Sequence, residues 1–150
     1  MKKVLMIALV LLTCACCFVS CAEIEQEVGK KVSGMLLEYY EDQILENNPN
    51  ANLRHLSQEE IDDLIAEYRS AGIELEGEIT DALLLSAHNE LTGEWGMQLS
   101  IGLSCVEDGE AIRKYYNRIY ASEIEEGTAV INEAGFFVAL ALSSEPIPVD

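Results

Sequence analysis

Three glutamates alternate along one stretch, Glu74, Glu76 and Glu78, with Ile73, Leu75, Gly77 and Ile79 between them. In an extended chain such carboxylates project from one face about 7 Å apart, near enough to meet a cation or a basic partner. They form a candidate interaction face; the plainer reading is a solvated edge that discourages strand pairing. A second cluster invites a calcium test. Asn48, Asn50 and Asn52 take the first, third and fifth places of an EF-hand frame, and Glu59 the last. Leu53 stands where the frame needs glycine, and the leading ligands are uncharged, so an ordinary polar loop is expected. His55 and His88 are the only histidines, and neither belongs to a metal-binding pattern. No serine elbow and no nucleotide-binding glycine pattern is present. Among 27 acidic residues, neighbouring carboxylates say little about glycosidase chemistry. The reading therefore assigns no catalytic residue, no cofactor and no metal ligand.

The cysteines lead to the start of the chain. Lys2 and Lys3 precede an uncharged run over residues 4–22, which ends in Ser20, Cys21 and Ala22 before turning acidic at Glu23. That layout is a secretory signal peptide over residues 1–22. Its last part, Phe18-Val19-Ser20-Cys21, resembles a bacterial lipobox. The resemblance implies cleavage before Cys21 and lipidation of that cysteine. Two alternatives stay open: cleavage after Ala22 to give a secreted protein, and an uncleaved anchor, since the run is near the ~20 residues that span a bilayer. Two acyl chains suffice for stable anchoring. Cys14, Cys16 and Cys17 sit inside this oily segment with no histidine near, which argues against a metal cluster. Cys105 would then have no partner for an intramolecular disulfide. Nothing cationic adjoins it to activate the thiol, so it reads as a small buried hydrophobe.

Charge excludes several partners. After residue 22 the chain carries 27 acidic residues against 7 basic ones, a net charge of −20. Phosphate backbones need clustered Lys and Arg, so no nucleic acid is expected. Anionic headgroups repel the same surface, so contact with a membrane falls to the leader or its lipid.

The elements that must position these residues are read from periodicity. Residues 23–46 form a helix with an apolar stripe at Ile24, Val28, Val32, Leu36 and Tyr40. Residues 23–52 are taken as helix and linker, residues 53–150 as a single domain. Ser57 and Glu60 make a capping box for a second helix, with Leu56 and Ile61 as its hydrophobic staple and Gly72 as its stop. Residues 73–85 and 95–105 read as strands, the second with a small, polar face at Gly96, Gln98, Ser100, Gly102 and Ser104. A third helix is expected over 107–122, with Ile112, Tyr115, Tyr116, Ile119 and Tyr120 as its stripe. Those tyrosines, with Tyr39 and Tyr40, read as core positions in preference to a ligand shelf. Strands over 128–132 and 136–142 close a hairpin. The sum is an α+β fold: two N-terminal helices, then β-β-α-β-β, giving a four-stranded, mainly antiparallel sheet with helices on one face. Returning the third strand beside the first gives the order 2-1-3-4.

A leader without recognisable chemistry points to an exported, lipid-tethered, non-catalytic domain on the outer face of the cell membrane. It would meet an unknown protein or carbohydrate partner there. The alternatives are an envelope hydrolase using unrecognised carboxylates, and an inhibitor whose acidic face blocks a basic cleft.

Overall fold

A computed structural model describes the backbone of residues 2–148 and the side chains of residues 24–148. The side chain of Cys21 lies outside the described residues. The fold is α+β, built on one antiparallel sheet of five strands, with four helices. Among the described residues no helix is long and apolar enough to cross a membrane; the uncharged run at residues 4–22, where a leader is expected, falls outside the residues that statement covers.

The first helix, α1 (Lys2–Asn47), leads into a short strand, β1 (Asn52–His55). This strand is the element that the expected four-stranded sheet lacks. It pairs antiparallel with the next strand and separates the two N-terminal helices in sequence. Polar residues hid it: Asn52, Arg54 and His55 face solvent at the sheet edge, where short polar strands limit further pairing. Helix α2 (Gln58–Ser70) follows, with the expected capping box in place. The Ser57 backbone N–H donates to Glu60 Oε2 at 2.8 Å. The helix stops in a Schellman turn: Ile73 N–H reaches the Tyr68 carbonyl and Gly72 N–H that of Arg69, with Gly72 at φ +82°.

Strands β2 (Ile79–His88) and β3 (Trp95–Leu103) form a long hairpin. Helix α3 (Val106–Ile119) and a short helix α4 (Ala121–Glu125) then lead to β4 (Ala129–Glu133) and β5 (Phe137–Ser143). The sheet order is β1-β2-β3-β5-β4, so the expected return of the third long strand beside the first does not occur. The crossover instead sets β5 beside β3. Apolar content decides the choice. Phe137–Ser143 is almost wholly apolar and takes a position paired on both sides, while Ala129–Glu133, with Asn132 and Glu133, takes the edge.

Helices cover both faces of the sheet, correcting the one-sided expectation. One face is aliphatic: Ile101, Leu103, Val138 and Leu140 pack with Ile61 and Tyr68 of α2 and Ile112 and Tyr116 of α3. Of the tyrosines expected in the core, Tyr116 is buried and its hydroxyl bonds that of buried Tyr68, Tyr115, Tyr120 and Tyr40 are half-buried, and Tyr39 is exposed at 64%, outside the core.

The opposite face carries the small, polar side of β3, and α1 lies on it. The expected stripe of α1 is not the one that docks. Ile24, Val28 and Leu36 are exposed, whereas Gly29, Ser33 and Leu37 are buried. The reason is fit. A Cβ on Gly29 would stand 2.1 Å from the Ser104 carbonyl oxygen, and one on Gly102 2.8 Å from Leu37. Only glycine lets helix and sheet approach so closely. Ser33 Oγ meets Thr80 Oγ1 at 2.8 Å, and Gln98 donates to the Tyr40 hydroxyl.

Candidate functional site

The glutamate stretch is exposed as the alternation implies, but it is not a strand. Residues 73–78 lie outside the ladder, which begins at Ile79. Side chains satisfy their backbone instead. Buried Asp108, in the first turn of α3, accepts from Glu76 N–H and Gly77 N–H, both at 2.8 Å. Ser104 Oγ accepts from Glu78 N–H at 2.8 Å. An acid in the first turn also suits the positive end of a helix, so Asp108 serves two elements at once.

The three glutamates do not make one uniform face. Glu78 is paired with Lys30 of α1 at 2.9 Å. Glu74 joins it along a cleft of about 490 Å³ between α2 and residues 73–79, where Arg69 also sits. Glu76 borders a different cleft, described below. All three are exposed.

The histidines separate. His88 ends β2 at the turn of the β2–β3 hairpin, opposite Trp95. His55 is clamped between two carboxylates, with Nδ1 2.7 Å from Asp81 Oδ2 and Nε2 3.2 Å from Glu41 Oε2. Partial burial pulls its pKa down, but the hydrogen bonds and charges of Asp81 and Glu41 outweigh that and raise it above the ordinary value. Both ring nitrogens are occupied and neither faces a nucleophile, so the arrangement ties α1, β1 and β2 together. The asparagine frame is also absorbed by structure: Asn48 Oδ1 accepts from Asn50 N–H, and Asn52 donates to Ser86. No group of three metal-ligating side chains occurs among the described residues. Cys105 donates to Glu107 at 3.0 Å; burial, then that bond, push its thiol up to about 11. It is protonated at neutral pH and is a poor nucleophile.

A surface of mixed apolar and acidic composition lies where α1 meets the start of α3 and Phe136. A cleft of about 600 Å³ opens there, lined by Ile24 and Val28 of α1, Val106 at the start of α3, and Phe136 before β5. Three of these large apolar side chains are substantially exposed, Ile24 at 62%, Val28 at 49% and Val106 at 41%. Glu25, Glu76 and Glu107 edge the cleft, and among the described residues no lysine or arginine lines it. Phe136, one of the lining residues, also lies against Gly29, where the helix touches the sheet. Sequence reading missed this site because Ile24 and Val28 looked like core. The available clue was a helix with more apolar residues than one buried face needs.

No protein-family model matches the chain, and neither a curated protein nor a solved structure is similar to it.

Proposed function

We propose that this protein is an exported domain, lipid-anchored through Cys21, that binds a partner at the outer face of the cell membrane without catalysing a reaction. The observation that carries the reading is the position of the apolar cleft. Ile24, its first lining residue, is the third residue after Cys21. A lipid on Cys21 would hold the cleft at the bilayer surface, where a binding surface could meet a membrane-associated partner. Open apolar surface bordered by polar groups is the usual composition of an interaction site. The hydrolase alternative gains little from the geometry, since Glu74, Glu76 and Glu78 are exposed and divided between two clefts.

The deciding measurement is the intact mass of the protein purified from its native host. The expected species begins at Cys21 and carries a diacylglyceryl group. A species beginning at Glu23 would favour free secretion. A full-length chain in the cytosolic fraction, with Met1 attached and Cys21 unmodified, would remove both export and anchoring.

A further inference from the structure

We infer that the cleft formed by Ile24, Val28, Val106 and Phe136 docks a cationic amphipathic helical segment of a partner protein. This deepens the binding role proposed above by naming the partner's chemistry. The floor and the border make different demands. The floor exposes large aliphatic side chains and one aromatic ring, which gain by being covered. The border presents the carboxylates of Glu25, Glu76 and Glu107 with no cation among the lining residues. A wholly apolar occupant would strip water from those carboxylates and return nothing. An acidic occupant would add repulsion. An occupant with apolar residues on one side and Lys or Arg beside them satisfies both.

A bilayer is the competing occupant, because the cleft lies so near Cys21. Its headgroup region would have to receive three carboxylates of a domain already at −20 beyond the leader. Anionic lipid would repel them, and neutral lipid offers no fixed countercharge. A helix with anchors at i, i+3 or i+4 and i+7 could lay its apolar side on Ile24, Val28, Val106 and Phe136, with its basic residues at the edges.

The test uses the full chain in phosphatidylcholine nanodiscs and three short fluorescein-labelled peptides. One has an amphipathic Leu/Lys pattern, one the same pattern with Leu/Glu, and one replaces its leucines by serine. The expected result is saturable binding of the Leu/Lys peptide, above that to empty discs, with little binding of the other two. Val28→Ser combined with Val106→Ser should weaken it about tenfold, since both side chains belong to the apolar floor. Glu25→Gln combined with Glu76→Gln should weaken it a few-fold and flatten its salt dependence. Thermal melts of each variant establish that the fold is kept; if the serine pair melts early, the glutamine pair decides. Equal binding of the Ser/Lys peptide, equal signal on empty discs, or unchanged affinity in both variant pairs would overturn the assignment. A chain lipidated at Cys21 that ignores the peptide would sink the groove proposal and leave the anchoring intact.

Discussion

The two faces of the sheet are held by different physics. The α2/α3 face is a dry aliphatic layer in which Ile101, Leu103, Ile112 and Val138 are fully buried. Burial of such side chains contributes about 1.5–3 kcal/mol each before entropy is counted. The α1 face is assembled from Gly29, Ser33, Gly102, Thr80 and Gln98, with Leu37 of the helix and Leu83 of β2 as its fully buried aliphatic side chains. Its hydrogen bonds add only about 0.5–1.5 kcal/mol apiece. Close approach and directional bonds fix where α1 sits more than they add to stability. One face stabilises the domain and the other places the helix that bears the cleft.

The largest effect expected from breaking this contrast is on the aliphatic side. Ile101→Ala should cost about 2–5 kcal/mol and lower the urea midpoint of the whole domain. A loss under about 1 kcal/mol would show that the layer is less tightly packed than the burial of Ile101 indicates. On the other face, Gly29→Val should cost about 1–3 kcal/mol, because its Cβ meets the rigid Ser104 carbonyl. Its signature is local: amide exchange should rise in α1 while α3 stays protected. Uniform loss of protection would mean that the two faces unfold together.

A smaller change sharpens the comparison. Thr80→Val removes one of two partners of buried Ser33, which keeps its bond to the Lys30 carbonyl, and should cost about 1 kcal/mol. In a double-mutant cycle with Ser33→Ala the two losses should couple; additive losses would show that the bond is not felt.

The smallest effect is the pH response of the His55 clamp. Its pKa is raised in the folded state, so its stabilising contribution is fully present below the unfolded value near 6.5 and is lost as pH rises through the folded value. His55 is about half exposed, which limits the effect to under about 1 kcal/mol. Protection factors at the C-terminal end of α1, taken after dividing out the intrinsic pH dependence of amide exchange, should be higher at pH 6 than at pH 8, and His55→Gln should abolish that difference. Equal protection factors at the two pH values would show that the clamp does not hold the helix.

Much of the aliphatic face was legible from the chain. Helix α2 announced itself through Ser57, Glu60 and Gly72 because caps are local chemistry, complete within one turn. Strand β3 showed strict alternation from Trp95 to Cys105. The α1 face was harder to read. Its docking residues, Gly29 and Ser33, carry no apolar signal, and the most apolar stripe of the helix was the wrong one. Strand β1 escaped notice because an exposed edge needs no hydrophobic pattern. Of the candidate site, Glu76 was named from its alternation, while Val106 and Phe136 looked like ordinary element ends.

By itself the sequence determined the α+β class, the acidity beyond residue 22, the cap and stop of α2 and the core register of β3. Each depends on neighbours within a few residues or on composition, which folding does not alter. Only the tertiary structure decided which side of α1 docks, which strand lies beside β3, and where Asp81 points. A bulge between Ile79 and Asp81 breaks the two-residue alternation. Asp81 therefore meets His55 and Glu41 on the α1 side, where unbroken alternation from Ile79 would have put it against the aliphatic layer. Such choices turn on how closely two surfaces can approach, and that depends on residues far apart in the chain.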